Sequence, residues 1–326
     1  MNNSKIFITG GTGSFGKKFV SMTLKKYKNC NITIYSRDEN KQWHMEQSYK
    51  DNNIRFIIGD VRDKERLNET IKGHTLVIHA AATKIVPTAE HNPSECIKTN
   101  IDGALNVIDA CINNNIKKTI ALSTDKACNP VNLYGATKLA SDKLFLSANN
   151  IEPNKKKFSV LRYGNVIGSR GSIVPFFINQ AKHNNHLTIT DKKMTRFMIS
   201  REDAVKMLWE VNTKMYGGEI FVKKLPSMNI VEIAKTISPS SKIKIIGIRP
   251  GEKIHEQMIS SADSYNTYEF DKYFKIVSST LNNKIKEKII TNGKKVKLGF
   301  EYSSENNKIW MTKNNLTKII KKENLV

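Results

Sequence analysis

A tyrosine and a lysine four positions apart are the pair in this chain whose types and spacing point most directly to chemistry. Tyr134 and Lys138 lie in the stretch YGATK, and residues four apart share one face of a helix. A tyrosine that accepts a proton from an alcohol must first lose its own, and a neighbouring ammonium favours the phenolate. The pair therefore predicts dehydrogenase chemistry, in which Lys138 also holds the ribose of a nicotinamide nucleotide. Taken singly, Tyr134 fits a packed aromatic and Lys138 fits a surface lysine.

An acid and a base stand side by side shortly before this tyrosine. Asp125 and Lys126 follow Thr124 at the end of an apolar run that predicts a strand. A carboxyl kept protonated by burial can give a proton to a departing hydroxyl, and a neutral lysine can remove a proton from carbon. Both roles need pKa values far from the ordinary ones. A structural ion pair between Asp125 and Lys126 is the alternative.

Three glycines near the N-terminus predict a phosphate-binding turn. Gly10, Gly13 and Gly16 have G-x-x-G-x-x-G spacing, directly after a predicted strand and at the start of a predicted helix. They would permit a tight turn, close approach of a pyrophosphate to the backbone, and packing of the helix on the strand. The free N–H groups of the helix start would hold the anion. Three further residues of the same turn are predicted to contact the dinucleotide, namely Thr12, Ser14 and Phe15.

The end of the second predicted strand favours NADP over NAD. An NAD site usually carries an acid at this point to bind the ribose hydroxyls, whereas this chain has Ser36 and Arg37, which suit a 2′-phosphate. Asp38 follows at once and keeps NAD as the alternative. Four residues after the third and fourth strands are predicted to line the adenine and the dinucleotide, namely Asp60, Val61, Ala80 and Ala81.

Alternating elements position these residues. Predicted strands at 6–9, 32–35, 54–58, 76–79, 119–122 and 158–162 alternate with predicted helices at 15–26, 64–71, 93–114 and 133–148. This alternation predicts an α/β fold with a doubly wound parallel sheet of Rossmann type, which binds ligands at the carboxyl ends of its strands. The predicted dinucleotide domain covers 1–168 and regains 197–225, and a smaller substrate lobe covers 169–196 and 226–326.

Long motifs resemble one known family. The glycine turn, the Tyr134–Lys138 pair and the two-lobe layout resemble the extended short-chain dehydrogenase/reductases over most of the chain. The stretches STDKACNPVNLYGATK, RYGNVIGSRGSIVPFF, MTRF and IRPGEKIHE are similar to those of the UDP-N-acetylglucosamine 4,6-dehydratases, particularly the inverting type that opens the pseudaminic acid pathway. In this family, 4-epimerases lack the acid and base after Thr124, and dehydratases acting on glucose or mannose nucleotides typically have Asp-Glu there. Some related dehydratases have methionine at the position of Tyr134.

The resemblance implies a reaction and a set of substrate contacts. Tyr134 would take the proton of the C4 hydroxyl, which Thr124 orients; Lys126 would then remove H5, and Asp125 would protonate the departing C6 hydroxyl. Hydride returns to C6 and C5 is inverted. The residues that the resemblance assigns to UDP-N-acetylglucosamine are Lys84, Asn165, Val174, Arg196, Arg249 and Glu252. It also implies a homo-oligomer, a dimer or a hexamer. A retaining 4,6-dehydratase, a UDP-sugar 4-epimerase and a non-catalytic NADP-binding regulator are the alternatives.

Composition limits the other partners. The 326 residues carry a formal net charge of +23, but the lysines are scattered along the chain rather than grouped with aromatics, so we expect no nucleic-acid partner. Four cysteines without C-x-x-C spacing predict reduced thiols. We expect no membrane span and a cytoplasmic location, since no apolar run is long enough to cross a bilayer. His255 and Glu256 form the one pair that invites a metal, and with no second ligand pair we expect no metal site.

Overall fold

The computed structural model describes residues 1–49, 53–152 and 155–325, and Val326, the last residue of the predicted lobe, lies outside them. The strands are β1 Lys5–Thr9, β2 Asn31–Ser36, β3 Ile54–Ile58, β4 Leu76–His79, β5 Lys118–Thr124, β6 Lys157–Tyr163, β7 Asn165–Val166, β8 His186–Ile189, β9 Thr195–Ile199, β10 Glu219–Lys223, β11 Ser227–Asn229, β12 Lys242–Ile245, β13 Gln257–Ile259, β14 Thr267–Glu269, β15 Tyr273–Val277, β16 Lys294–Lys295 and β17 Tyr302–Ser303.

Helices connect these strands. The α-helices are α1 Ser14–Lys26, α2 Glu39–Glu46, α3 Lys64–Thr70, α4 Val86–His91, α5 Pro93–Ile97, α6 Gly103–Asn113, α7 Leu133–Ser147, α8 Ile173–His183, α9 Arg201–Lys214, α10 Ile230–Ile237, α11 Asn283–Ile290 and α12 Lys313–Lys322. Short polar side chains begin several of them: Asp38 caps α2, Asn132 caps α7 and Ser200 caps α9, each accepting from a backbone N–H of the first turn.

A mixed sheet forms the centre of the molecule, in the order β16-β14-β15-β10-β6-β5-β4-β1-β2-β3. The strands from β10 to β3 run parallel, and helices cover both faces, so the strands are apolar throughout: Ile6, Phe7 and Ile8 of β1 are all fully buried. The predicted α/β fold with a doubly wound parallel sheet is confirmed.

Two predictions differ from the structure. The predicted segment 226–326 does not form the second lobe alone, because β15 pairs antiparallel with β10 and carries β14 and β16 into the central sheet. Such short antiparallel strands lack the strand–helix alternation that marked the parallel half. The predicted helix 93–114 is interrupted by a π-helical turn, Lys98–Asp102, between α5 and α6. There the buried Asn100 accepts from the backbone N–H of Thr83 at 2.9 Å and donates to its carbonyl at 2.9 Å.

A second hydrophobic core lies beside the sheet. Apolar faces of α8, α10 and α12 pack together with β8, whose parallel partner is β12, and the core includes Phe177, Ile233 and Leu316. The segment after Arg249 contacts the turn that follows β5: Lys253 donates to the carbonyl of Cys128, and Glu256 pairs with Lys126. Within the described part of the chain, no helix combines the length and apolarity that a membrane crossing requires.

Candidate active site

A cleft of about 760 Å³ opens where the parallel strands end. Thr9 lies beside both Tyr35 and His79 in the sheet, and Thr124 lies beside Tyr163, so the residues after these strands meet at one edge. The predicted site residues that line the cleft are Gly10, Thr12, Gly13, Ser14, Phe15, Gly16, Ser36, Arg37, Asp60, Val61, Ala80, Ala81, Lys84, Thr124, Asp125, Lys126, Tyr134, Lys138, Asn165 and Arg249.

The glycine turn has the shape that a dinucleotide pyrophosphate requires. Gly10 has φ +67°, and a Cβ there would lie 2.8 Å from the backbone nitrogen of Ala81. A Cβ on Gly16 would lie 2.2 Å from the carbonyl oxygen of Gly11, so helix α1 packs directly on the turn. Gly13 is the residue directly before α1 and provides no side-chain cap, which leaves N–H groups of the first turn for an anion. The turn therefore fits the dinucleotide pyrophosphate that the sequence predicts.

Two cations, Arg37 and Lys41, lie near the end of β2, each beside a carboxylate. The hydroxyls of Thr12 and Ser36 lie 2.8 Å apart, and Arg37 reaches the carboxylate of Asp60 at 3.5 Å. Asp38 also lines the cleft, but its carboxylate caps α2 by accepting from the N–H of Lys41 at 2.9 Å and forms an ion pair with the Lys41 ammonium. Lys41 also lines the cleft and was not predicted. A carboxylate held by a helix cap and an ammonium is poorly placed to bind ribose hydroxyls.

A short 3₁₀ turn, Asp125–Ala127, presents the acid and the base after β5. The Thr124 hydroxyl donates to Oδ1 of Asp125 at 3.0 Å, and Nζ of Lys126 donates to the same oxygen at 3.0 Å. Helix α7 approaches this turn closely because Gly135 has no side chain; a Cβ there would lie 2.2 Å from the carbonyl oxygen of Lys126. This close packing brings Tyr134 beside the turn.

The Tyr134–Lys138 pair is buried against the end of β5. Burial raises the pKa of Tyr134 to about 12, although the charge of Lys126 and a hydrogen bond with Thr124 act in the opposite direction. Nζ of Lys138 donates to the carbonyl of Leu122 at 2.8 Å, and burial lowers the pKa of this ammonium. The charge of Lys126 therefore also acts on the phenol, a contribution that the spacing of Tyr134 and Lys138 does not predict.

A residue that the sequence analysis missed completes the group. Oε1 of Glu256 lies 3.0 Å from Nζ of Lys126 and 3.7 Å from Nε of Arg196. The side chain is 3% exposed, and the charges of Lys126 and Arg196 outweigh the effect of burial and lower its pKa. In the sequence, Glu256 stands out only as half of a His255–Glu256 pair that could hold a metal. Its place in the quoted stretch IRPGEKIHE, beside Arg249 and Glu252, was the available signal.

Asp125 and Lys126 depart from their ordinary pKa values in one expected and one unexpected direction. Burial raises the pKa of Asp125, and Glu256 adds to the effect, as a carboxyl that must stay protonated requires. Burial lowers the pKa of Lys126, but Asp125 and Glu256 overcome it and raise this pKa above the ordinary value. Two carboxylates face one ammonium, so the resting protein does not favour the neutral Lys126 that removal of a proton from carbon requires, and this role of Lys126 stays a prediction.

The six predicted substrate residues fall into two groups. Lys84, Asn165 and Arg249 line the cleft, and Oδ1 of Asn165 is buried with no hydrogen-bond partner among the described residues. Val174, Arg196 and Glu252 lie outside the lining of the cleft. Val174 is fully buried in the second core.

Arg196 braces the C-terminal segment instead. It donates to the carbonyls of Thr195 at 2.8 Å and Ile254 at 2.9 Å, and it lies 3.6 Å from Oε1 of Glu252. Two further residues of the cleft, Tyr163 and Arg170, were not predicted.

The fold and the site together define a class. A Rossmann sheet with an uncapped glycine turn, and with a tyrosine and a lysine on the helix after its fifth strand, is the arrangement of short-chain dehydrogenase/reductase enzymes that use nicotinamide dinucleotides. The chain belongs to the family of polysaccharide biosynthesis proteins, whose family model matches residues 6–278.

Known proteins resemble the chain over nearly its whole length. A protein of Campylobacter jejuni subsp. jejuni serotype O:23/36, named UDP-N-acetylglucosamine 4,6-dehydratase (inverting), is 57% identical over 98% of each chain. A protein of Rickettsia bellii named UDP-glucose 4-epimerase is 40% identical over 93% of this chain and 91% of its own. The X-ray structure of Pen from Bacillus thuringiensis superposes with a TM-score of 0.90 at 34% identity, covering 100% of this chain and 99% of the other.

Proposed function

We propose that this chain is a UDP-N-acetylglucosamine 4,6-dehydratase that inverts C5 and releases UDP-2-acetamido-2,6-dideoxy-β-L-arabino-hexos-4-ulose. The observation that carries the proposal is the Asp125–Lys126 pair at the end of β5, in which Asp125 is buried and Lys126 partly buried, and which lines the same cleft as Tyr134. A dehydrogenase needs only the tyrosine and Lys138, whereas elimination of water needs an additional acid and base. The relative at 57% identity carries the name of this activity.

The cofactor in this proposal is NADP. The turn at Gly10–Gly16 would hold the pyrophosphate, while Ser36, Arg37 and Lys41 would surround the 2′-phosphate, whose geometry suits the guanidinium fork. When bound, this cofactor would supply a hydride acceptor for C4 of the sugar and, later, a hydride donor for C6. Asp38 supports this choice over NAD because its carboxylate already caps α2.

Tyr134, once its phenol has lost its own proton to solvent, begins the reaction by taking the proton of the C4 hydroxyl. Thr124, hydrogen-bonded to the tyrosine, orients that hydroxyl. The positive charge of Lys126 lowers the cost of forming the phenolate in this buried position. Oxidation at C4 then acidifies the hydrogen on C5.

One internal proton transfer turns the resting ion pair into the acid and base that elimination requires. In the resting protein the Lys126 ammonium lies 3.0 Å from Oδ1 of Asp125. Moving one proton along this hydrogen bond gives a neutral amine and a protonated carboxyl, without any exchange with solvent. Lys126 then removes H5, the C6–O bond breaks as C5=C6 forms, and Asp125 protonates the leaving hydroxyl to water. Hydride return to C6 and addition of a solvent-derived proton to the opposite face of C5 then give the L-configured sugar, while Lys126 keeps the proton taken from C5 and Asp125 is again ionised.

Product analysis tests this function. The protein is incubated with UDP-N-acetylglucosamine and NADP in deuterated water and followed by proton NMR. We expect a 6-deoxy methyl group, deuterium at C5 and the L-configuration. Retention at C5 would replace inversion by the retaining reaction, and an unchanged C6 with a new C4 epimer would favour the epimerase, the name carried by the Rickettsia relative.

Two variants test the assigned roles in the same assay. We expect Lys126→Ala and Tyr134→Phe to remain folded and to bind NADP, but to lose about 10²-fold or more of product formation, the usual contribution of a positioned acid or base. Lys143→Ala, on the exposed side of α7, is the matched control. Full activity of both variants would contradict the mechanism.

The homo-oligomer stays a prediction, which light scattering on the purified protein would test.

A further inference from the structure

The backbone of Glu256, which lies outside the central sheet, is held in place so that its carboxylate contacts Lys126. It lies immediately before β13, and both its backbone groups are held by one residue: its N–H donates to Oγ of Ser304 at 2.9 Å, and its carbonyl accepts from the N–H of Ser304 at 2.7 Å. The Ser304 hydroxyl in turn lies 2.7 Å from that of Thr195. The backbone is therefore rigid where the carboxylate turns towards β5.

The carboxylate contacts Lys126 more closely than any other cation. Oε1 lies 3.0 Å from Nζ of Lys126, against 3.7 Å from Nε of Arg196. Oε2 has no hydrogen-bond partner within the described residues, and neither has Oδ2 of Asp125. A buried carboxylate with a free oxygen is costly unless charge compensates it. An ion pair that served only to tie the lobes together would be expected to satisfy both oxygens.

Several charged groups face this centre from different elements. Asp125 and Lys126 come from the turn after β5, Tyr134 from α7, Lys84 from the loop after β4, Arg196 from β9 and Lys253 from the segment before Glu256. Among these groups, Glu256 and Asp125 are the two carboxylates that contact Nζ of Lys126.

We propose that Glu256 is a positioning residue of the dehydration: its fixed, buried carboxylate holds Nζ of Lys126 beside Asp125 and stabilises the ammonium that forms when Lys126 removes H5. The inference rests on the proposed function. Its contribution belongs to the elimination, because Glu256 does not line the cleft where Tyr134 and the C4 hydroxyl would meet. Glu256→Gln should therefore spare oxidation at C4 and impair the loss of water.

The charge of Glu256 also predicts the direction of a pH effect. This charge raises the pKa of Lys126 and that of Asp125. Without it, and with the Arg196 cation left nearby, both pKa values fall. The pair is active while it holds one proton, so activity rises with pH as Asp125 ionises and falls as the Lys126 ammonium loses its proton. Both limbs of the pH–rate profile should therefore move to lower pH by about 1 unit.

Chemical labelling of Lys126 tests the contact without substrate or cofactor. Competitive acetylation at a series of pH values, read by mass spectrometry of the peptide containing Lys126, gives the pH of half-labelling. We expect this pH to fall in Glu256→Gln and to stay unchanged in Glu305→Gln, the same substitution on an exposed glutamate that pairs with His255. Identical labelling of Lys126 in Glu256→Gln and wild type would overturn the proposal.

Single-turnover kinetics with UDP-N-acetylglucosamine test the step. In Glu256→Gln we expect the absorbance of reduced nicotinamide to appear at the wild-type rate and to persist, while product formation falls about 10²-fold. Glu256→Asp keeps the negative charge on a shorter side chain. It should return both limbs of the pH–rate profile to their wild-type positions but restore only part of the turnover. Wild-type turnover and pH limbs in Glu256→Gln would also overturn the proposal.

The two hypotheses fail separately. If wild-type protein forms no dehydrated product, the proposed function fails, whereas the labelling of Lys126 still decides the contact. If Glu256→Gln does not fold, Glu256→Asp decides: the proposal requires reduced turnover with reduced nicotinamide persisting. Wild-type turnover in Glu256→Asp would then overturn it.

Discussion

At the scale of single residues, the buried charges of the site are balanced as a group rather than as pairs. The Lys126 ammonium lies 3.0 Å from each of two carboxylates, and Asp125 is 1% exposed. Each group therefore owes its protonation state to the other two. A substitution of one member is expected to change the pKa values of the others, so activity alone is a poor measure of any single role.

Arg37 is the residue on which the choice of dinucleotide depends most. We expect Arg37→Ala to weaken NADP binding about 10-fold, since a charge-assisted hydrogen bond to phosphate contributes about 1.5–3 kcal/mol. NAD affinity should be unchanged, because NAD lacks the 2′-phosphate. Fluorescence titration with both nucleotides measures the difference, with Arg66→Ala, an exposed arginine of α3, as the control. An equal loss for both nucleotides would place Arg37 elsewhere than at the 2′-phosphate.

At the scale of elements, the site depends on close approaches that side chains would prevent. Gly135 lets α7 rest on the carbonyl of Lys126, and Gly10 lets the first turn rest on the backbone of Ala81. The strand ends, the turn and the helix start are consequently one packed unit. A displacement of the glycine turn would move the predicted pyrophosphate site relative to Tyr134.

Gly10 and Gly73 offer a matched test of that packing. Both have positive φ, +67° and +76°, but a Cβ on Gly73 would meet nothing within 4 Å. Alanine at Gly73 should cost about 1 kcal/mol of unfolding free energy through the strained backbone, and alanine at Gly10 should cost more because its Cβ also meets the backbone of Ala81. Only Gly10→Ala should also weaken NADP binding, by about 10-fold or more, as titration would show. Equal NADP affinity in the two variants would contradict the role of the turn.

At the scale of the whole molecule, the C-terminal part is tied to the central sheet through β10. Glu219, the first residue of β10, is fully buried, accepts from the N–H of Tyr216 at 2.8 Å and lies near Lys275 of β15. Burial raises its pKa from 4.5 to about 6, although Lys275 opposes the shift. The junction between the parallel and antiparallel parts of the sheet therefore contains a titratable group that the proposed chemistry does not use.

Glu219 makes the stability of the fold depend on pH. The folded protein binds this proton more tightly than the unfolded chain, so the stabilisation is complete below pH 4.5 and is lost as pH rises through about 6. Relative to Glu219→Gln, the wild-type free energy of unfolding should fall by about 2 kcal/mol across this range. Urea unfolding on both sides of it measures the change. Glu69→Gln, on exposed α3, is the control, and parallel pH curves for wild type and Glu219→Gln would refute the prediction.

Local sequence was enough for much of the fold and of the cofactor turn. Strands such as β1 and β4 consist mostly of apolar residues, and Gly10, Gly13 and Gly16 span the turn from β1 into the first residues of α1, so each signal lies within a few residues. Sequence also predicts that Asp125, Lys126 and Tyr134 lie together at the edge of the sheet formed by the carboxyl ends of the strands. Parallel strands bring their carboxyl ends together whatever the intervening sequence.

Only the tertiary structure decided how these groups are charged. Glu256 lies 130 positions after Lys126 in the chain, and no local pattern marks it as the partner of that lysine. Likewise, β14 to β16 join the central sheet through an antiparallel pairing that sequence alternation did not predict. Sequence determined which acid and base are available, but their pKa values depend on burial and on charges brought from distant segments, and those exist only once the chain has folded.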